Sequence, residues 1–258
     1  MTRRELTTKA RAHLFTVFSV AVACISGVSV AEPIRHEVSY PTGSGPFPAV
    51  ITLHNSGGYK ATKNWVENFK SQVWTNAGYV VYAPDFFERH GLSPRTRMKT
   101  FSRHREEIQK ELSEIVALAK VDPKVDEKNI FAVGFSNGGF WASFLAGSGR
   151  VNAAVSHYGV WKANMGREIT NPYPMKYFSS SSSPVLALHG GDDATQKMDH
   201  VDEAWRWVKS NGGKLTTHVY PHADHAWDSR SKRFDAWDPR VKEDALRKTL
   251  VFFEKHRR

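Results

Sequence analysis

The sequence predicts a single α/β domain built on a mostly parallel central sheet with helices on both faces. Two observations lead there. Several apolar, β-rich runs are each followed by a segment of helical periodicity, the pattern of a parallel sheet covered on both sides. The chain has 258 residues, 40% hydrophobic and 12% aromatic, which suits one large domain with a sizeable core.

The elements follow in order. "HEVSY" reads as an opening strand before the turn "PTGSGPFP", and "AVITLH" is the next strand, followed by the glycine loop "NSGGYK". "NWVENFKSQVWTNAG" has helical spacing at Trp65, Val66, Phe69, Val73 and Trp74, with Gly78 placed to end it. "YVVYAP" is a strand running into the loop "DFFERHGLSPRT". An amphipathic helix over 101–120 sets Ile108, Leu112, Ile115, Val116 and Ala119 on one side. Then come "NIFAVG" as strand, "NGGFWASFLAG" as helix and "VNAAVSHYG" as strand. The last third repeats the alternation: "PVLALHG", the helix "DHVDEAWRWVKSNG", the strand "KLTTHVY" and the closing helix "DPRVKEDALRKTLVFFEKH". In such sheets ligands sit beyond the C-terminal ends of the strands, and the polar clusters of this chain fall there.

The N-terminal 31 residues read separately. Arg3, Arg4, Lys9 and Arg11 precede an apolar run over 14–30, and Ser29-Val30-Ala31 offers the small residues a signal peptidase reads. This order predicts an exported protein, periplasmic or secreted, with cleavage after Ala31 and a mature domain over 32–258. An uncleaved membrane anchor and lipidation at Cys24 are the alternatives. Cleavage removes the single cysteine, leaving no disulfide and no thiol nucleophile. It also removes four basic residues and Glu5, lowering the formal charge from +10 to +7. The remaining charge is dispersed, as in "RHREEIQKELSE", with no basic stripe, which argues against a nucleic-acid partner.

Chemistry centres on "VGFSNGG". A strand feeds Ser136 and a helix leaves from Asn137, with Gly134 and Gly138 leaving room for a sharp turn that lifts the hydroxyl out of the sheet edge. A serine needs a base, and the base an orienting acid, in the chain order Ser, acid, His. Asp192 and Asp193, in "LALHGGDDATQ", both qualify as the acid by position; His222 and His225, in "PHADHAW" after the strand "KLTTHVY", both qualify as the base. Oxyanion donors would be the Asn137 N–H and a backbone N–H of "LHNSGG", with Ser56 the candidate.

With "AVITLHNSGG", "GYVVYAPDFFER", "VGFSNGGFWA", "PVLALHGGDDATQ" and "VYPHADHAW" assembled in this order, residues 35–256 resemble the dienelactone hydrolase family of the α/β-hydrolase fold. The resemblance implies Asp193 rather than Asp192 as the acid and His225 rather than His222 as the base. It also implies that Arg89, in "PDFFER", pairs with a substrate carboxylate. Two departures stand out. The dienelactone enzymes proper use a cysteine nucleophile where this chain has Ser136, and hold a glutamate in the oxyanion loop where Asn55 stands.

The expectation is therefore a cofactor-free carboxylic ester or lactone hydrolase working through Ser136, His225 and Asp193. Asn55, Arg89, Phe86 and Trp141 are its candidate substrate contacts, and Phe87, Phe140 and Trp227 also flank the loops. The partner would be a small-molecule ester or lactone, with no stable membrane association after cleavage. Two rivals stand beside it. One is a non-catalytic binding protein on the same fold. The other is a metal hydrolase, prompted by "HADH" at 222–225 but lacking further ligands at zinc spacing.

Overall fold

In the computed structural model, residues 32–162, 175–231 and 236–258 are described. The N-terminal 31 residues, and with them the export and cleavage expectation, lie outside the described residues. From Pro33 to Arg258 the chain forms one compact unit.

Seven strands make one sheet: β1 (His36–Ser39), β2 (Phe47–Leu53), β3 (Val80–Pro84), β4 (Val125–Phe135), β5 (Ala153–His157), β6 (Val185–Gly190) and β7 (Leu215–Tyr220). Their order is β1-β3-β2-β4-β5-β6-β7, with only the edge strand β1 antiparallel to its neighbour. Side chains alternate across β4 with period two. Ile130 and Ala132 enter one hydrophobic core, while Phe131, Val133 and Phe135 enter the other. Burial on both faces is why these strands read as apolar runs.

Helices α3 (Arg105–Val121), α4 (Asn137–Gly147) and α5 (Met198–Ser210) cover the first face. Helices α1 (Tyr59–Trp65), α2 (Ser71–Asn76) and α6 (Pro239–Lys255) cover the second. Every residue of α4 is buried, which explains a helix apolar all round instead of along one stripe. The closing helix begins where Asp238 accepts the N–H groups of Arg240 and Val241, with Pro239 at its first turn.

One helix differs from its periodicity. The run from Trp65 to Trp74 is interrupted: Val66 is extended (φ −97°, ψ 110°), a short 3₁₀ turn covers Glu67–Phe69, and α2 follows. Tertiary pairing breaks the helix. Val66 forms a bridge with Ser229, Arg230 N–H donates to Trp65 O at 2.8 Å, and Glu67 N–H donates to Asp228 O at 2.9 Å. The apolar spacing persists through the break because Val66, Phe69 and Trp74 still face the same core. The helix expected over 101–120 starts later, at Arg105, after a 3₁₀ segment at Arg97–Phe101.

Candidate active site

Three loops at the C-terminal ends of β4, β6 and β7 converge, and each brings one polar side chain inward. Ser136 sits between β4 and α4 with φ 53° and ψ −109°, left-handed territory that a serine enters only when its surroundings hold it there. Its N–H donates to His157 O at 3.0 Å, and its carbonyl accepts from Gly139 and Val160. The glycines make the turn possible. A Cβ on Gly134 would collide with Gly138 O, and one on Gly138 would collide with Leu53 O.

His225 Nε2 lies 2.9 Å from Ser136 Oγ, and His225 Nδ1 lies 2.8 Å from Asp193 Oδ2. A carboxylate only accepts, so Nδ1 carries the proton donated to Asp193 and Nε2 is left to accept from the serine hydroxyl. The other Asp193 oxygen accepts the N–H groups of Thr195 (2.8 Å) and Gln196 (2.7 Å). Burial pushes the Asp193 carboxyl up, but the hydrogen bond and charge of His225, then His189 and the Gln196 N–H, hold it below its ordinary value. Asp193 is thus an anion fixed on both oxygens.

The structure also separates the alternatives at each position. Asp192 and His222 are solvent-facing and lie 3.8 Å apart, whereas Asp193 and His225 are buried, Asp193 directed at His225 and His225 at Ser136. Among the described residues, no group of three or more His, Cys, Asp or Glu side chains is arranged to hold a metal ion.

Several contributors were not singled out from sequence. His189 Nε2 reaches Gln196 O at 2.8 Å and Asp193 Oδ2 at 3.3 Å, and burial lowers its basicity. Asp224 Oδ1 accepts the N–H groups of His225 (2.6 Å) and Ala194 (3.0 Å), tying the loop of His225 to the loop of Asp193. His54, fully buried at the end of β2, has Nδ1 2.9 Å from Asn55 O and Nε2 3.6 Å from Asp85 Oδ1. The one available signal was position: each stands within a few residues of a strand's C-terminal end.

A cavity of about 320 Å³ opens over Ser136 and His225. Asn55, Ser56 and Gly57 form one wall, with Trp65, Arg97 and Thr195 among the remaining lining residues. Asn55 turns its own Oδ1 back to the Gly57 N–H at 2.8 Å, with the Thr62 hydroxyl 2.9 Å away, so this oxygen shapes the loop. Among the described residues, neither the Ser56 N–H nor the Asn137 N–H has a protein acceptor.

Three expected substrate contacts fall elsewhere. Arg89 is not part of the lining; its guanidinium pairs with Glu111 of α3 at 3.3 Å. Phe86 is fully buried and stacks on His54, ring centroids 3.8 Å apart. Trp141 is swallowed with the rest of α4, packed against Phe86, Phe101 and Phe140. Flanking an active loop in sequence did not distinguish core aromatics from lining ones. Among the described residues, the cavity lining includes Trp65, which is 46% exposed, and one cationic side chain, Arg97.

A doubly covered, mostly parallel sheet whose strand-to-helix turn carries the serine is the α/β-hydrolase fold. Within it, the chain belongs to the dienelactone hydrolase family, a hydrolase family whose profile matches residues 34–257. A Yersinia pestis protein named as a carboxymethylenebutenolidase is 24% identical over 240 residues, covering 88% of this chain and 82% of that protein. Two solved structures share the fold. One, from Klebsiella pneumoniae and described as a dienelactone hydrolase, aligns with a TM-score of 0.70 at 21% identity, covering 85% of this chain and 92% of that one. The other, a Thermogutta terrifontis esterase with propionate bound, aligns with a TM-score of 0.64 at 17% identity, covering 85% and 88%.

Proposed function

We propose that this protein is a serine hydrolase of carboxylic esters or lactones, acting through an acyl-enzyme. The observation that carries the reading is the unbroken hydrogen-bonded line from Ser136 Oγ through His225 to Asp193. Ser136 attacks the carbonyl carbon while His225 Nε2 takes its proton. The imidazolium is held by Asp193 and returns the proton to the departing alkoxide. Water then attacks the acyl-Ser136 ester by the same route, releasing the acid. The N–H groups of Ser56 and Asn137 are suited to the developing oxyanion, because neither has an acceptor among the described residues and Asn137 opens a helix.

A serine in place of the thiol removes the need for a carboxylate that manages thiolate ionisation, which fits Asn55 holding its own loop. For an acidic substrate, Arg97 is the cation that lines the cavity among the described residues, which supports giving it the part that the family resemblance gave to Arg89. The substrate is a small molecule, in keeping with a cavity of about 320 Å³. The basic, apolar and small-residue order of residues 1–31 supports export to the periplasm or beyond.

The test is a panel of aryl esters of varied acyl length with Ser136→Ala as control. The variant should lose about 10⁴-fold or more in kcat while remaining folded. Wild-type turnover by Ser136→Ala would refute the assignment. A folded wild type that resists a fluorophosphonate label at Ser136 would favour the non-catalytic binding protein.

A further inference from the structure

Behind His225 lies a buried pair that the proposed mechanism does not use. Tyr158 follows β5 in a left-handed conformation, φ 37°, and its hydroxyl donates to Asp228 Oδ1 at 2.6 Å. Both residues are fully buried. The Tyr158 ring meets the His225 ring edge-on, centroids 5.0 Å apart, and the Trp227 ring at 4.8 Å.

The backbone around the pair explains what it joins. On one side, His157 O accepts the Ser136 N–H and Val160 N–H donates to Ser136 O, so Tyr158 stands between two residues bonded to the turn. On the other side, Asp228 is three residues past His225 in a loop where Ala226 is also left-handed, φ 66°. Asp228 O accepts the Glu67 N–H, which fastens that loop to the break between α1 and α2.

We infer that Tyr158 and Asp228 are positioning residues for the base, bracing the loop of His225 against the turn of Ser136 so that the Ser136–His225 hydrogen bond keeps its length. The inference rests on the esterase reading above. Asp228 Oδ2 is buried and has no partner among the described residues, so its charged form is poorly solvated. Burial, with the charge of Glu67, outweighs the Tyr158 hydroxyl, a backbone hydrogen bond and the charge of His225, so that the carboxyl is pushed up to about 7. Glu67 is itself paired with Lys70 and Arg230. With one oxygen on Tyr158 and the other unpartnered among the described residues, the brace is sensitive to the protonation of Asp228. Ionised Asp228 accepts the Tyr158 hydroxyl more strongly and sits on the favourable side of an imidazolium.

The experiment compares wild type, Tyr158→Phe, Asp228→Asn and Asp228→Ala in the full chain, by fluorophosphonate labelling rate and by aryl-acetate hydrolysis from pH 5 to 9. Thermal melts on the same samples report the folded fraction. The wild type should label at Ser136, and the acid limb of its rate profile should be steeper than one ionisation gives. Tyr158→Phe, which keeps the ring, should label about tenfold more slowly, with kcat reduced to match and KM within about twofold. Asp228→Asn, which keeps an acceptor, should retain more rate than Asp228→Ala and show a single-ionisation acid limb. A folded Tyr158→Phe labelling at the wild-type rate overturns the brace, as does slowing that merely follows lost folded population, or a steep acid limb in Asp228→Asn. A wild type that does not label overturns the esterase reading itself.

Discussion

The carbonyl oxygen of Gly138 fills the space where Gly134 would carry a Cβ. The two glycines of the turn are therefore interlocked: the strand before Ser136 can approach the helix after it only with no side chain in between. Gly134→Ala should push the helix start outward and detach Ser136 Oγ from His225 Nε2. The expected result is a loss of at least about 10²-fold in kcat on any ester, together with a lower melting temperature. Wild-type kinetics in that variant would contradict the packing.

Asp193 and its neighbour Asp192 make an internally controlled pair. Asp193→Asn should leave the fold intact and lower kcat about 10³- to 10⁴-fold, because an amide can donate to Nδ1 and favour the wrong tautomer. Asp192→Asn removes only an exposed contact to His222 and should change kcat less than about twofold. Steady-state kinetics on one aryl ester are sufficient to read both.

Arg97 and Arg89 separate on substrate charge. Arg97→Gln should raise KM about tenfold for esters carrying a carboxylate, with little change for neutral esters of the same size. Arg89→Gln loses the contact to Glu111, and its KM values should stay at wild type. A KM rise confined to acidic esters in Arg89→Gln would restore the assignment drawn from the family resemblance.

Acid stability should depend on Asp85. Burial raises its carboxyl, but the His54 ring, the Arg35 guanidinium at 2.5 Å and the Phe87 N–H together bring it down to about 2. A depressed folded-state value means the contribution is complete above the ordinary carboxylate range and disappears as pH falls from about 4 to 2. Urea melts should show Asp85→Asn about 2 kcal/mol less stable near neutrality, with the difference shrinking toward pH 2. A gap that stayed constant across that range would mean Asp85 acts through packing alone.

The layers of the fold were legible because burial on both faces leaves apolar strands and striped helices in the sequence. The convergence of Ser136, Asp193 and His225 was legible for a different reason: each follows a strand at the same sheet end, in the order a serine mechanism would require. Choosing Asp193 over Asp192, or His225 over His222, needed the family pattern, since adjacent positions in a loop carry no periodicity. Partnerships across the sequence left no local trace. Phe86 and Trp141 look like lining residues until the rings around them are placed, and nothing near Trp65 announces that Ser229, 164 positions later, interrupts its helix.

That interruption has a bearing on how the enzyme could be altered. Because Trp65 and Glu67, on either side of the extended residue Val66, are hydrogen-bonded to the segment that follows His225, the wall bearing Trp65 and the loop bearing His225 form one mechanical part. Grafting either segment alone from a relative would import half of a joint. Libraries that vary the two together, holding the Val66–Ser229 bridge, are the ones that should yield new substrate preferences without loosening His225.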